Sequence, residues 1–416
     1  MPDLSTVLDR LDAGRAAATD LLADLVRIPS ENPPGDTRAL AAFVRDWLAA
    51  RGHAARVVAA RDDLPNLVCT VRGARPGPAL VLNGHLDTYP AGDRAAWSVD
   101  PFGGVVRDGK LYGRGVGDMK AGVAAHLLTF VTLADVAAEL AGRLTLTLVS
   151  DEENGGALGA GHLLAVEPEA RGDACLIGDA GAADLICFAE KGAVWADLVA
   201  TGRGAHSAHV HRGRNAVHAL VAALGDVVAL DGLDVGVPDA VRAEVERGRA
   251  ATDAAFGEGA TDVLGRVTVT VGLVAGGQKR NLVPDAARAE VDVRIPAGGS
   301  TGAVVGALEA IARRHGVEVV IRSANEPHWS PPDAAIFGAL GRATERVRGR
   351  PAPLAGRIGA SDARYFRRAG IPTAVYGPAV ANMGGPDEHV DLDEWWDVVR
   401  VHVVAALDLL GWGAGR

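Results

Sequence analysis

The sequence predicts an α/β fold, with helices layered on a mostly parallel sheet, interrupted by a smaller ferredoxin-like unit. Three observations carry this reading. From residue 37 to residue 190, short apolar runs alternate with longer stretches of helical periodicity, the rhythm of a sheet covered by helices. From 193 to 322 the order changes to strand, helix, strand, strand, helix, strand, the βαββαβ pattern of a split βαβ layer. A chain of 416 residues also exceeds one ordinary core, so two domains are expected.

Taken in order, residues 4–28 repeat apolar side chains at helical spacing (Leu4, Val7, Leu8, Leu11, then Leu21, Leu22, Leu25, Val26) until Ser30-Glu31-Asn32-Pro33-Pro34-Gly35 breaks the pattern. An amphipathic helix over 37–51 stops at Gly52. Strands are expected near 54–58 and 66–72, and at 79–83, where the run is apolar throughout, as in a strand buried on both faces. The glycine-rich 112–117 precedes a helix expected from Asp118 to about Ala134, and 144–150 and 174–177 read as further buried strands. In the next block, strands are expected at 193–201, 267–274, 286–295 and 317–322, and helices at 215–230 and 301–315. The glycine- and alanine-rich stretch 232–265 reads as an extra helix with loops. A helix at 334–348, a strand at 373–376 and a last helix at 394–410 return to the first layer. The expected division is therefore 1–190 and 326–416 for the larger domain and 191–325 for the insert.

Composition narrows the function. A net charge of −10 argues against nucleic acid or an anionic membrane as partner. The balance of 48% hydrophobic and 23% charged residues is that of a soluble globular protein, and no apolar run reaches the length of a membrane span. Cys69, Cys175 and Cys187 all sit in apolar strand-like runs, which reads as reduced core thiols in a cytoplasmic protein. Asp3, Asp9 and Asp12 interrupt the N-terminal stretch, so no signal peptide is expected there.

The chemistry concentrates where strands end. In 144–156 (LTLTLVSDEENGG) a period-2 strand runs into three consecutive acids, Asp151, Glu152 and Glu153, whose mutual repulsion calls for a cation or a shared proton. Taken alone, such a run is more often a solvated acidic turn, and it is the other strand-end sites that favour the cation. His85 and Asp87 stand two apart where the strand at 79–83 opens into a loop, the end at which ligands bind in open α/β sheets. Asp118 follows Gly113-Arg-Gly-Val-Gly117; the spacing is wrong for a dinucleotide loop, and Asp118 suits either a helix N-cap or a carboxylate shared between cations. Asp179 closes the strand 174–177. One histidine and several carboxylates with no cysteine favour a hydrolytic two-metal site for zinc, or for manganese or cobalt.

These motifs, with 202–217 (GRGAHSAHVHRGRNAV), 276–294 (GGQKRNLVPDAARAEVDVR) and 361–378 (SDARYFRRAGIPTAVYGP), resemble the metallopeptidase family of aminoacylases, acetylornithine deacetylases, succinyl-diaminopimelate desuccinylases and glutamate carboxypeptidases. The resemblance covers nearly the whole chain. It implies a three-layer catalytic domain, a lid that also dimerises, and two zinc ions per chain that hydrolyse an amide bond to an amino acid. Carried over by position, it makes His85 and Asp179 ligands of one metal, Asp118 the bridge, and Glu153 the ligand of the other. Glu152 becomes the general base and Asp87 the residue that orients His85. His206 resembles a lid residue that reaches across the dimer to the oxyanion, and Asn281 and Arg294 resemble residues that grip the substrate carboxylate.

Three departures stand out. The family carries a metal-binding His four residues before a C-terminal Glu; before Glu388 that place is Gly384, leaving Asn382 or His389 as substitutes. Asp179 stands where Glu is common, and Val210, flanked by His209 and His211, replaces a usual Pro. The expected protein is a homodimeric metal-dependent amidohydrolase of an N-acyl amino acid or small peptide with a free carboxylate. The competing readings are a divergent member with an altered second metal site, performing acyl transfer or a specialised biosynthetic deacylation, and a non-catalytic metal-binding dimer.

Overall fold

The strand Arg75–His85 is the axis of the larger of two units. From Leu80 onward it is fully buried, and it pairs in parallel with Ala141–Val149 on one side and Ala174–Ile177 on the other. It extends beyond the expected 79–83 because Arg75 also pairs, with Ala141, across an irregularity in the register. The computed structural model describes residues 3–412. Its larger unit comprises Met1–Phe188, Ser330–Leu354 and Ser361–Arg416; the smaller comprises Ala189–Trp329 and Ala355–Ala360.

In the larger unit the strand order is Arg56–Val58, Asn66–Arg72, Ala141–Val149, Arg75–His85, Ala174–Ile177, Thr373–Val375, Ile186–Glu190. The middle four run parallel, and antiparallel strands flank them. Both faces are covered, as consecutive residues of the central strand show. A Cβ at Gly84 would lie 3.3 Å from Val123 of the helix Ala121–Asp135. The side chain of Asn83, on the opposite face, donates to Asp362 at the start of the helix Ala363–Arg368 (3.4 Å). Trp395 of the buried helix Leu392–Leu409 donates its indole N–H to Ala121 O (2.9 Å), so this helix lies over the first.

Several elements differ from expectation for local reasons. The N-terminal stretch forms two helices, Leu4–Ala13 and Arg15–Arg27, because the chain turns at Gly14. The helix expected from Asp118 begins at Ala121; Asp118, at φ −119° and ψ 90°, is outside helical geometry and is not its cap. Ile186–Glu190 is a buried strand, and Val105–Arg107, Lys110–Tyr112 and His389–Asp391 form a small separate sheet.

The smaller unit is an antiparallel sheet in the order Thr268–Gly276, Ala286–Ile295, Gly192–Thr201, Glu318–Asn325, with the helices Ala216–Val228 and Thr301–His315 packed on it. Alternate residues of the two inner strands (Val194, Ala196, Leu198, Ala200; Ala289, Val291, Val293, Ile295) bury one face. This is the expected βαββαβ order. The stretch 232–265 holds three short helices, Asp239–Arg247, Arg249–Phe256 and Ala260–Gly265, rather than one.

Candidate metal centre

His85, Asp118 and Asp179 come from three separate strand or turn ends, are all buried, and offer donor atoms within 4.8 Å of one another. His85 Nε2 lies 3.0 Å from Asp118 Oδ1. Its other nitrogen, Nδ1, lies 2.8 Å from the main-chain oxygen of Asp87, which can accept only a proton-bearing nitrogen. That contact selects the tautomer with Nε2 free for a cation. Burial by itself would lower the His85 pKa, yet Asp118 and Asp87 raise it well above the usual imidazole value. The carboxylates thus demand positive charge at this spot, and one imidazole with two acids is a donor set that suits a divalent transition metal.

Asp87 orients His85 through its backbone, not chiefly through its side chain, whose Oδ1 is 3.6 Å from Nδ1. The reason is that both carboxylate oxygens are engaged elsewhere. Oδ1 accepts the N–H of Glu152 (3.2 Å), and Oδ2 accepts the N–H of Glu153 (3.1 Å) and the amide of Asn32 (2.9 Å). Asp87 therefore pins the acidic turn beside the cluster. Asp151 turns away and closes its own loop by accepting Leu158 N–H (3.0 Å), so only two of the three consecutive acids remain for chemistry.

Burial pushes the Glu152 carboxyl well above its ordinary range, reinforced by Asp362 and Asp179 and opposed by His85 and by Arg364, whose Nη2 is 3.3 Å from Oε1. Glu153 is pushed up to about 8 by burial and by the Asp118 charge, and its Oε1 is buried without a hydrogen-bond partner. Asp362, raised by burial to about 7, faces the same cluster of acids. The Glu153 charge in turn raises the Tyr89 phenol to about 12. Asn32, Tyr89, Asp362 and Arg364 escaped sequence reasoning. Asp362 and Arg364 lie in the 361–378 motif but carry no local sign of their contacts, and Asn32 sits in a proline-rich break.

His389 is held elsewhere: its ring lies on Tyr112, with centroids 4.6 Å apart, and Nδ1 is 2.9 Å from Asp387 O. Glu388 is buried against Arg114 and accepts Gly117 N–H (3.1 Å), which joins the 113–118 loop to the 384–388 loop.

Within the smaller unit, His206 and Asn281 are neighbours, because Ala205–His206 pairs with Leu282–Val283. His206 Nδ1 accepts Ala208 N–H (3.2 Å), and Asn281 Oδ1 is buried without a partner. The pairing of Ala205–His206 with Leu282–Val283 is a separate two-stranded sheet. Arg294 lies in the four-stranded sheet, opposite Ala193, at the end away from His206; the end nearer His206 is marked by Ala286 opposite Thr201. Eight residues of strand separate those ends by about 26 Å. Arg294 is paired with Asp292 (2.8 Å).

Residues 81–408 match the sequence profile of peptidase family M20/M25/M40. The chain is 34% identical over 390 residues to a succinyl-diaminopimelate desuccinylase of Cereibacter sphaeroides, covering 90% of this chain and 94% of that one. Its fold is similar to an M20 family metallo-carboxypeptidase from Sulfolobus solfataricus, with a TM-score of 0.73 at 18% identity over 92% of this chain and 97% of the other. It is also similar to a dinuclear metal binding M20 peptidase from Bacillus subtilis, with a TM-score of 0.64 at 16% identity over 96% and 99% of the two chains. A converging imidazole and two acids beside a buried glutamate, together with a profile match across most of the sequence, lead to one conclusion: the chain belongs to peptidase family M20/M25/M40 and is a metallo-hydrolase of amide bonds.

Proposed function

We propose that the enzyme hydrolyses the amide bond between an acyl group and an amino acid that keeps a free carboxylate, with N-succinyl amino acids the first substrates to test. The observation that carries this reading is the placement of Glu152, on a turn pinned by Asp87, beside the His85–Asp118–Asp179 cluster. The cluster would hold zinc, with cobalt or manganese as substitutes. When bound, the ion supplies Lewis-acid polarisation of the scissile carbonyl and acidifies a water.

Glu152 accepts the proton of the attacking water and returns it to the departing amine. Its burial favours this role, because a carboxyl raised from its ordinary range holds a proton it has accepted more firmly than an exposed one. Asp87, itself held by the Asn32 amide, keeps the backbone of the turn in place by accepting the N–H groups of Glu152 and Glu153.

Arg294 supplies a planar fork for the substrate carboxylate, and His206 with Asn281 supplies donors for the tetrahedral oxyanion and the acyl group. The distance between these groups within one lid supports a single substrate taking them from two copies. We therefore place the enzyme as a homodimer, joined through the lid strand Thr268–Gly276, an outer strand that exposes Leu273 and Val274. Cys69, Cys175 and Cys187 are buried thiols outside any disulfide, which supports a reducing, cytoplasmic setting. Among the described residues no helix is long and apolar enough to cross a membrane.

Glu152→Gln tests the reading. Turnover of an N-acyl amino acid should fall by about 10²–10⁴-fold with metal content unchanged. Undiminished turnover overturns the assignment.

A further inference from the structure

We propose that this enzyme holds one ion tightly per chain, among His85, Asp118 and Asp179, and that Gly384 and Tyr89 leave the adjoining second-ion position short of ligands. The inference rests on the proposed hydrolytic site but not on any particular substrate.

The argument is an inventory of donors. Among the described residues the group of mutually close donors is His85, Asp118 and Asp179. Beyond it, the carboxylates left to a second cation are Asp118, shared with the first, and Glu153, whose Oε1 is buried without a hydrogen-bond partner. Both oxygens of Asp87 already accept N–H groups from Asn32, Glu152 and Glu153. His389, stacked on Tyr112 with Nδ1 against Asp387 O, is not part of the group of mutually close donors, and Asn382 is exposed to solvent.

Gly384 brings no side chain, and its backbone, at φ +72°, lies in the left-handed region that disfavours one. A Cβ built there would make ordinary van der Waals contact with the ring of Tyr89, 3.8 Å from Cδ2, so Tyr89 is the side chain that neighbours the place a ligand at 384 would start from. The loop is also tied down, because Arg114 donates to Gly384 O (2.9 Å) and Gly385 O (3.1 Å) while pairing with Glu388. The phenol of Tyr89 is not among the donors that zinc ordinarily takes. Two carboxylates fall short of the three or four protein ligands that hold zinc firmly, so a cation placed there is easily lost to solvent.

The full-length protein, stripped with a chelator, would be titrated with Co²⁺ and followed by visible absorption and electron paramagnetic resonance; separately it would be loaded with Zn²⁺, gel-filtered and assayed for metal. The expected result is an end point at one equivalent, the spectrum of an isolated ion, and one zinc retained per chain. Glu153→Gln should keep that one ion, and Asp179→Asn should reduce retained zinc to background. Two retained equivalents, a spin-coupled pair, the loss of an ion in Glu153→Gln, or no retained ion at all would each overturn the proposal. Ion count and turnover separate the two claims. One ion without hydrolysis of any N-acyl amino acid removes the hydrolase reading and leaves this one standing, and two ions with hydrolysis does the reverse.

Discussion

The guanidinium of Arg364 stands 3.3 Å from the carboxylate of Glu152, the group assigned as general base, although the two are 212 residues apart in sequence. Burial and the nearby Asp362 and Asp179 favour the protonated acid, whereas Arg364 favours the ionised form needed to accept a proton. Removing the cation should therefore raise the pKa of Glu152. Arg364→Met is expected to move the acid limb of the kcat/KM profile to higher pH and to cost about tenfold at neutral pH, the equivalent of one pKa unit. An unchanged profile would show that Arg364 only packs.

Asp87 touches no substrate in this scheme, yet it links His85 to the turn of Glu152 and Glu153. Asp87→Ala keeps the main-chain oxygen that orients His85 but releases the turn of Glu152 and Glu153, so it should weaken zinc binding by about 10-fold at most and should chiefly lower kcat. Competition with a chromogenic chelator measures the first effect. Wild-type affinity in this variant would confine Asp87 to the turn.

His126 and His402 stack in the core, 4.9 Å between ring centroids, and both are held neutral: burial lowers His402 to about 4, and His126 lies well below its ordinary value. The unfolded chain protonates these rings near 6.5, so between pH 6.5 and 4 it binds more protons than the folded chain. Stability should fall as pH drops through that window, His402 alone accounting for about 3 kcal/mol below pH 4. Urea denaturation at several pH values should show a shallower acid loss for His126→Leu than for wild type; parallel curves would remove this explanation of acid sensitivity.

Arg114 and Glu388 are each only 1% exposed, and together they bind the 113–118 loop, which carries Asp118, to the 384–388 loop. Cutting one partner leaves a buried charge uncompensated. Arg114→Met should destabilise the protein by about 3–5 kcal/mol, read as a lowered urea midpoint and Tm. A loss below about 1 kcal/mol would mean that water reaches Glu388.

Where a side chain's task is set by the residues next to it, the linear chain was enough. The strand Ala286–Ile295 and the helix Thr301–His315 lie where their apolar spacing puts them, because burial of a single face imposes a local period, and Ala174–Ile177 lies where its unbroken apolar run puts a strand buried on both faces. The same reasoning placed His85, the 151–153 acids and Asp179 at strand ends. It could not choose between a helix cap and a ligand for Asp118, since both need only a carboxylate after a glycine turn. The fold decided by starting the helix at Ala121 and leaving Asp118 against His85.

Alone, the sequence determined which residue types stand at the ends of which strands, and hence that a cation-seeking cluster forms. Tertiary structure decided how each side chain is used: Asp87 spent on backbone amides, Asp151 on its own loop, Glu152 facing Arg364, His389 lying on Tyr112, and Arg294 at the end of its sheet away from His206. The physical reason is range. Periodicity and turn chemistry are written within a few neighbouring residues, whereas hydrogen bonds across 55 or 212 residues exist only once the layers have closed.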